Sequence, residues 1–457
     1  MLRLFRHYVP STLLVLIAAD AAVIVAAVGL STQVSGWIGQ GGLWPKTAIL
    51  AGILLLMLYF ADLYDVRLQL GRRELAARLV LALSGGVIMI AAVGFAVPPL
   101  RFGRFAFVQI FGFLSAGLLL WRTAWLGIHS NERLRKRVLV LGVSRAAEGI
   151  VSLQTSGARP FTVLGFLDDD PAAHEALPPG YELLGKGKDL LNLVEELEPD
   201  LVVTALRDMR GSFPADDLLK CRLKGIQVED WPNFFEKQTG KILIRDLRPS
   251  WLVFSDGFVK TRLTQTLKRA VDVMISVVGL VVSTPLMILI AGAVKLDSRG
   301  PALFRQQRVG QNGRIFVLNK FRSMCADAER TSGPVWASRG DARVTRVGRF
   351  LRRTRLDELP QLVNILIGDM SFIGPRPERP EFVQLLQRRI PFYMERLSVK
   401  PGLTGWAQVR HHYAASPEDA LEKLQYDLYY IKNLSMFLDL LILLATIQVV
   451  LFGRGAR

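Results

Sequence analysis

The 457-residue chain is too long for one ordinary domain, and its hydrophobic residues, 51% of the total, are gathered in long runs rather than spread through the sequence. Lys and Arg (57) outnumber Asp and Glu (40), and the net charge of +17 suits nucleic acid, an anionic membrane surface or phosphorylated substrates. The apolar runs favour the membrane, so we expect no nucleic-acid partner. The two cysteines, Cys221 and Cys325, are far apart and indicate neither a disulfide framework nor a zinc site.

Residues 1–130 predict a bundle of four transmembrane helices. Apolar runs of about 20 residues, the length that crosses a bilayer, lie at 12–30, 43–63, 78–97 and 105–121. Basic residues precede the first run, crowd the second loop and follow the fourth run, at Arg3 and Arg6, at Arg67, Arg72, Arg73 and Arg78, and at Arg133, Arg135, Lys136 and Arg137. By the positive-inside rule, both ends of the bundle lie in the cytoplasm.

Residues 137–256 predict a doubly wound, Rossmann-like α/β domain. Short apolar strands at 138–141, 163–167 and 201–204 alternate with helical stretches. The turn from Gly142 to Gly149 lies where a dinucleotide-binding fingerprint would lie, but the GxGxxG spacing is missing. We therefore expect a structural or regulatory module, and nucleotide binding is the less favoured alternative.

The apolar run at 271–294 is long enough to be a fifth span, yet it has basic residues on both flanks. Ser283 and Pro285 fall near its middle, where a proline removes a helix hydrogen bond and a nearby hydroxyl can satisfy the freed carbonyl. These features predict a re-entrant helix over 268–297 that enters one leaflet and returns. An ordinary span is the alternative.

The adjacent acids Asp357 and Glu358 precede a short apolar helix expected at 361–367. Thr354-x-x-Asp357 matches a capping box, which is the purely structural interpretation. However, four arginines lie just upstream, and Arg376 follows between two prolines in Gly374-Pro-Arg-Pro. Arginines beside a helix N-terminus form a phosphate site. A carboxylate in such a site is either a metal ligand or a nucleophile toward phosphorus.

Six sequence blocks closely resemble the catalytic domain of the monotopic phosphoglycosyl transferases, also called bacterial sugar transferases. In chain order they are Lys268-Arg-Ala-Val-Asp272, Lys320-Phe-Arg-Ser-Met324, Leu356-Asp-Glu-Leu-Pro-Gln361, Gly368-Asp-Met-Ser-Phe-Ile-Gly-Pro-Arg-Pro-Glu378, Lys400-Pro-Gly-Leu-Thr-Gly-Trp406 and Tyr426-Asp-Leu-Tyr-Tyr-Ile431. The likeness covers residues 266–457. The upstream half, which ends in Ser250-Trp-Leu-Val-Phe-Ser-Asp-Gly257, resembles the large, exopolysaccharide-associated branch of the family.

The resemblance implies a third, monotopic α/β domain at 266–457 and a two-step reaction. Asp357 would attack the sugar-proximal phosphate of a UDP-hexose, expel UMP and form an aspartyl phosphosugar. Undecaprenyl phosphate would then take the phosphosugar, as the first step of exopolysaccharide synthesis. Mg²⁺ would bind at Asp357 and Glu358, and the catalytic role of Glu358 would be metal coordination or proton handling. The hexose would be glucose or galactose.

The same resemblance suggests residues that contact the phosphates. Lys320, Arg352 and Arg376 are the main candidates, each with the alternative of a charge that faces the membrane. Asp369 and Glu378 are weaker candidates. The expected location is the bacterial inner membrane, with the catalytic domain on the cytoplasmic face, and the composition leaves a homo-oligomer open.

Two further questions stay open. The apolar run at 437–452 suits a helix at the membrane interface better than a full span. Tyr426, Tyr429 and Tyr430 suit either an interfacial aromatic belt or a packed core.

A different function, a membrane scaffold or regulator of polysaccharide assembly with secondary catalysis, is the alternative to the transferase.

Overall fold

A computed structural model describes most of the chain, and the fold below refers to that part. The described ranges are 2–4, 7–35, 42–65, 68, 70–129, 135–155, 161–170, 173, 177–206, 213–245, 255–258, 261–325, 343–411 and 416–452. The basic residues Arg6, Arg67 and Arg133 and segment 250–254 of the branch motif lie outside these ranges. The chain divides into two units, one of Met1–Leu2 and Tyr8–Thr239 and one of Arg3–His7 and Gly240–Arg457.

Four apolar helices begin the first unit, after two short strands, β1 (Leu2–Leu4) and β2 (His7–Val9). The helices are α1 (Ser11–Ser35), α2 (Leu43–Phe60), α3 (Arg72–Ala96) and α4 (Arg104–His129). Each is long and apolar enough to cross a membrane, and the described ranges contain one more such helix, in the second unit. The four predicted helices are therefore confirmed, and the chain has the character of a membrane protein.

A buried ion pair joins α1 to α4. The Asp20 carboxylate, fully buried, accepts a hydrogen bond from the Arg122 guanidinium at 2.5 Å and another from the Tyr64 hydroxyl at 2.8 Å. Arg122 also donates to the Leu63 carbonyl. Because charged groups in an apolar bundle are costly unless paired, these bonds oppose any sliding of the helices past one another.

A five-stranded parallel sheet follows the bundle, in the order β5-β4-β3-β6-β7. Its strands are β3 (Lys136–Leu141), β4 (Phe161–Leu167), β5 (Leu183–Gly185), β6 (Leu201–Thr204) and β7 (Gln227–Asp230). The helices between and after them are α5 (Arg145–Thr155), α6 (Leu190–Leu197), α7 (Ala215–Leu223) and α8 (Trp231–Thr239). The three predicted strands are present, and the strand order reverses at β3, the central strand.

The turn after β3 is closed by protein groups. Gly142 has φ +106°, and a Cβ there would lie 2.7 Å from the Ala205 backbone, so the position requires glycine. The Asp168 carboxylate accepts the Val143 N–H at 2.5 Å. In a dinucleotide-binding domain, backbone N–H groups at this turn face a phosphate, whereas here a carboxylate takes the Val143 N–H.

The second unit begins with the longest helix, α9 (Arg262–Asp297), whose 36 residues extend about 54 Å. One side packs along its length on the rest of the unit, through buried Asp272, Ser276, Ile290 and Val294. The opposite side is apolar and exposed, at Val281 (71%), Val282 (73%) and Leu289 (71%) among others. A helix with these two faces is suited to lie between an α/β domain and lipid.

Pro285 lies inside α9, which continues through it as one helix. The Thr284 hydroxyl donates to the Leu280 carbonyl at 2.6 Å, and the Ser283 hydroxyl lies 3.5 Å from Met287 Sδ. These hydroxyls thus bond within one helical turn. Whether the helix turns back in a membrane stays a prediction.

The remaining elements of the second unit follow α9 in the chain. An antiparallel hairpin, β8 (Leu303–Val309) and β9 (Ile315–Phe321), is followed by α10 (Arg346–Thr354) and α11 (Gln361–Ile367). Strands β10 (Ser371–Ile373) and β11 (Gly402–Thr404) pair in parallel, on either side of α12 (Pro380–Arg389) in sequence. The last helices are α13 (Trp406–Arg410), α14 (Pro417–Lys432) and α15 (Met436–Phe452).

The tyrosines before α15 belong to a packed core. Tyr426, Tyr429 and Tyr430 are 5%, 1% and 1% exposed and pack with Leu438 and Ile442. The interpretation as an interfacial aromatic belt is therefore wrong, and the packed core is confirmed. Local spacing could not decide this, because both alternatives place aromatic residues beside an apolar run.

Candidate active site

The acidic pair lies in a tight connection between α10 and α11. Thr345 caps the start of α10 by accepting the Gly348 N–H at 3.0 Å. The helix ends at Thr354, the next residue Arg355 has φ +60°, and a 3₁₀ turn, Leu356–Glu358, carries both acids. The predicted capping box is wrong, because Thr354 is the last residue of α10 and its hydroxyl donates back to the Phe350 carbonyl. Asp357 thus does not act as a cap partner.

Glu358 is surrounded by three cations. Its Oε1 accepts a hydrogen bond from Arg376 Nη2 at 2.9 Å, and Lys320 Nζ and Arg355 Nη1 lie 3.9 and 3.8 Å away. Burial acts to raise the pKa of Glu358, but the charges of Arg376, Lys320 and Arg355 outweigh it and lower the pKa to about 2. Glu358 is therefore ionised at neutral pH and held in place.

Asp357 has a different environment. Its side chain is largely buried (8% exposed), and it makes neither a hydrogen bond nor an ion pair within 4.0 Å to any residue that the structure describes. Burial and the negative charge of Glu358 raise the pKa of Asp357, while Lys320, Arg376 and Arg352 oppose the shift. An unpaired carboxylate in a cationic surrounding is available to bind a metal ion or to attack an electrophile.

Lys320 lies on β9 and is largely buried. Burial lowers the pKa of the Lys320 ammonium to about 8, Arg376 acts in the same direction, and Glu358 opposes the shift. The structure thus brings Lys320 and Arg376 to the acidic pair, as the motifs predicted. Arg352, on α10, influences Asp357 through its charge.

The weaker candidates lie farther from the acidic pair. Asp369 follows α11 and donates its N–H to the Asn364 carbonyl at 3.1 Å, whereas the acids precede that helix. Because seven helical residues span about 10 Å, Asp369 is not part of the same cluster. Glu378 lies 3.9 Å from Arg308 Nη1 and lines a small cavity together with Lys423.

Backbone hydrogen bonds fix the loop that carries Arg376. The Gly374 N–H donates to the Thr404 carbonyl, and the Gly402 N–H donates to the Pro375 carbonyl, both at 2.9 Å. A Cβ on Gly402 would lie 2.1 Å from the Gly374 nitrogen, so only glycine permits this approach. The two prolines that flank Arg376 restrict the backbone of this loop, and the hydrogen bonds to β11 and its neighbours fix it further.

Two arginines outside the predicted site candidates hold the same loop. Arg308 Nη1 donates to the Pro377 carbonyl at 3.0 Å. Arg396 Nη2 donates to the Arg376 carbonyl at 3.0 Å and to Asp427 Oδ2 at 2.9 Å. The Arg396 and Asp427 side chains are only 5% and 3% exposed. Asp427 lies within the Tyr426-Asp-Leu-Tyr-Tyr-Ile431 block, but no local signal indicates its contact.

The long helix α9 contacts the strand before this loop. Asp272 Oδ1 accepts hydrogen bonds from the Ser371 hydroxyl at 3.1 Å and from the Phe372 N–H at 3.0 Å. Arg269 donates to the Ile365 and Leu366 carbonyls at the end of α11. The block Lys268-Arg-Ala-Val-Asp272 therefore connects α9 to both segments that flank the acidic pair and its arginine.

A divalent cation would need side-chain ligands that converge on one point. In the described ranges, no three His, Cys, Asp or Glu side chains converge on one point. Mg²⁺ in phosphate-transfer sites commonly takes only one or two carboxylates and completes its coordination with substrate phosphate and water. Asp357, whose carboxylate has no cation within 4.0 Å among the described residues, fits that mode. Glu358 fits it less well because Arg376 holds its Oε1.

A comparison with known families agrees with the sequence blocks. The family model described as bacterial sugar transferase matches residues 263–453. The exopolysaccharide production protein PSS of Rhizobium leguminosarum bv. phaseoli is 40% identical over 186 residues, which are 40% of this chain and 93% of that protein. The chain belongs to the bacterial sugar transferase family. The family assignment predicted from the six sequence blocks is confirmed.

Other bacterial sugar transferases match more of the chain. A UDP-N-acetylgalactosamine-undecaprenyl-phosphate N-acetylgalactosaminephosphotransferase of Aeromonas hydrophila is 44% identical over 260 residues, 56% of this chain and 60% of that protein. An undecaprenyl-phosphate glucose phosphotransferase of Komagataeibacter xylinus is 34% identical over 334 residues, 71% of this chain and 61% of that protein. The chain thus spans about 60% of the length of these two relatives.

Proposed function

We propose that this protein transfers a hexose 1-phosphate from a UDP-sugar to undecaprenyl phosphate and releases UMP, as the first step of exopolysaccharide synthesis. The observation that carries the proposal is the contrast within the acidic pair. Glu358 is held by three cations, whereas Asp357 beside it has no close partner among the described residues. The names of the relatives, which cite undecaprenyl phosphate and UDP-N-acetylgalactosamine or glucose, support the substrate class.

The reaction consists of two displacements at phosphorus. In the first, an Asp357 carboxylate oxygen attacks the sugar-bearing phosphorus, the bond to the UMP oxygen breaks, and UMP leaves with the electron pair. In the second, a phosphate oxygen of undecaprenyl phosphate attacks the same phosphorus and the bond to Asp357 breaks. The carboxylate is restored and the product is a lipid diphosphosugar, so an aspartyl phosphosugar is the covalent intermediate.

The cations have two roles in this scheme. Lys320 and Arg376 are within reach of a phosphate bound at the pair and offset the negative charge that would otherwise repel a diphosphate. Arg352 adds positive potential around Asp357. Glu358 orients Arg376 through their hydrogen bond and keeps the cations gathered.

Mg²⁺ completes the proposed site, with Asp357 as its principal protein ligand and Glu358 as a secondary one. When bound, it would neutralise phosphate charge and polarise the scissile bond. A chelator should therefore stop UMP release, and added Mg²⁺ should restore it.

The membrane assignment rests on α9. Its packed side bonds to Ser371 and Phe372 near its start, and Ser298, just after its end, accepts a hydrogen bond from Arg322 at 2.6 Å. Both ends therefore attach to one α/β unit, which supports a re-entrant helix over a full span. We place that unit at the cytoplasmic face of the inner membrane, where a soluble UDP-sugar and a lipid phosphate can meet.

The sheet of the first unit has a strand order that supports a Rossmann-like module. The Val143 N–H that could face a phosphate is taken by Asp168, which favours a structural or regulatory role. We propose domain limits of 1–130, 137–256 and 266–457, and no partner site is assigned to the module.

The test is a panel of UDP-sugars assayed for UMP release by the full chain with Mg²⁺ and undecaprenyl phosphate in detergent. The native chain should form a lipid diphosphosugar with one of them. Asp357→Asn should abolish UMP release, because an amide is a poor nucleophile. Asp369→Asn is the matched control and should stay within about threefold of native, because Asp369 lies at the other end of α11. Full UMP release by Asp357→Asn would reject the nucleophile.

A further inference from the structure

Asn364 is a buried polar residue in the apolar helix α11. Its side chain is 1% exposed, and its neighbours Leu362 and Ile365 belong to the hydrophobic core. A polar side chain in such a position is costly unless its hydrogen bonds are made, whereas an apolar residue would pack there without that cost. Core packing therefore does not explain the amide of Asn364.

The amide bonds to the outer edge of β9. Asn364 Nδ2 donates to the Val317 carbonyl at 2.7 Å, and Asn364 Oδ1 accepts the Asn319 N–H and the Asn319 side-chain amide, both at 3.1 Å. Among the described strands, β9 pairs with β8 alone, so its other edge has no strand neighbour. The carbonyl of one residue and the N–H of the second residue after it are the groups that a single residue of a parallel neighbour would bond. Asn364 thus takes the place of one residue of a third strand and fixes the register of α11 on β9.

This register sets where Lys320 lies relative to the acidic pair. Lys320 follows Asn319 on β9, while the turn with Asp357 and Glu358 lies two residues before α11 and packs on β9. Lys320 Nζ lies 3.9 Å from Glu358 Oε1. A slip of one residue would move α11 by about 1.5 Å, and a misplacement of about 1 Å can cost a hundredfold in rate. The amide of Asn364 therefore holds a distance on which the reaction depends.

The backbone of Asn364 has a separate role at the end of α11. Its carbonyl accepts the N–H groups of Gly368, Asp369 and Met370 at 3.1, 3.1 and 3.3 Å. A substitution of the side chain leaves these three groups with their acceptor. It therefore removes the link to β9 while the helix end is retained.

We propose that Asn364 is a positioning residue of the transferase, whose side-chain amide aligns Lys320 with Asp357 at the phosphate to be transferred. The inference rests on the proposed function and deepens it, because it assigns this alignment to a residue that acts through β9. With the cation and the nucleophile already in register, binding of the diphosphate does not have to order them.

The experiment measures UMP release and thermal unfolding of the full chain in detergent, with Mg²⁺, undecaprenyl phosphate and the UDP-sugar that the native chain turns over. Asn364→Ala removes all three side-chain hydrogen bonds to β9, and Asn319→Ala removes one of them. Asn433→Ala is the matched control. Asn433 is fully buried like Asn364, but its Nδ2 donates to the Tyr429 carbonyl, one turn earlier in α14.

We expect Asn364→Ala to lower kcat/KM for UMP release at least about tenfold, and Asn319→Ala to lower it by less. Asn433→Ala should stay within about threefold of native at a similar loss of unfolding temperature, because its hydrogen bond does not involve β9. The proposal also requires that Asn364 act through Lys320. In a Lys320→Met chain, Asn364→Ala should therefore lower kcat/KM by less than about twofold.

Two outcomes would overturn the inference. One is a loss of UMP release in Asn364→Ala that Asn433→Ala reproduces at equal unfolding temperature, since the asparagine would then be only structural. The other is an equal loss in the native and Lys320→Met backgrounds, since Asn364 would then not act through Lys320. The comparison with Asn433→Ala decides even if Lys320→Met releases too little UMP to measure. Absence of UMP release by the native chain with every UDP-sugar would instead reject the proposed function.

Discussion

Arg396 donates a hydrogen bond from Nη2 to the backbone carbonyl of Arg376, 3.0 Å away, while the same nitrogen is bonded to the buried carboxylate of Asp427. The pair thus sets the position of the loop from which Arg376 reaches Glu358. A buried ion pair is weak evidence for stability, because desolvation offsets much of its attraction. The contact with the carbonyl indicates that the pair serves positioning.

This relationship predicts a separation of stability from activity. Arg396→Met alone leaves Asp427 charged and buried, and should lower the free energy of unfolding by about 3–5 kcal/mol. The double variant Arg396→Met with Asp427→Leu should recover most of that loss but keep UMP release at least about tenfold below native, because the Arg376 carbonyl still lacks its donor. Thermal unfolding in detergent and UMP release measure the two effects. A double variant that recovers both would show that the pair is only structural.

The pKa of Lys320 predicts an alkaline limit to activity. The ammonium is charged below its pKa of about 8 and neutral above it, so kcat/KM for the UDP-sugar should fall as pH rises through about 8. Glu358, with a pKa of about 2, stays ionised throughout and does not shape this limb. Lys320→Arg should move the fall above pH 10, since a guanidinium keeps its charge there. An unchanged alkaline limb in that variant would contradict the assignment.

Asp272 should couple the long helix to the site. Its Oδ1 accepts from the Ser371 hydroxyl and the Phe372 N–H, and Asp272→Ala leaves both donors buried without that acceptor. We expect Asp272→Ala to lower the free energy of unfolding by about 1–3 kcal/mol, which is the usual cost of a buried donor left without an acceptor. Asp272→Asn, which keeps an acceptor oxygen, should lose clearly less. Unfolding midpoints of the two variants make the comparison, and equal losses would show that the hydrogen bonds are not the cause.

The re-entrant helix predicts that both ends of α9 lie on one side of the membrane. Leu263 and Leu296 are exposed (69% and 91%) near its two ends, so each can be replaced singly by cysteine. With Cys221 and Cys325 first changed to serine, an impermeant maleimide should label both sites in inverted vesicles and neither in intact cells. Labelling of the two sites from opposite sides would instead establish a full span.

Much of the architecture could be predicted because it depends on local pattern. Apolar run length predicted α1–α4, and strand spacing predicted β3, β4 and β6. The stop of α11 at Gly368 followed from the preference of glycine for positive φ, here +105°. The capping box failed because two local rules competed at Thr354, and the end of α10 prevailed over the start of a new helix.

The sequence by itself determined the family, the acidic pair Asp357 and Glu358 and the two cations Lys320 and Arg376, since motif order and residue chemistry are written along the chain. Only the tertiary structure decided that Glu358 takes the cations while Asp357 is left without a close partner in the described part of the chain. It also decided that Arg396 and Asp427 hold Arg376, because those contacts join residues 20 and 31 positions apart. Such pairings depend on how α14 packs against the loop, and no periodicity or spacing specifies that packing.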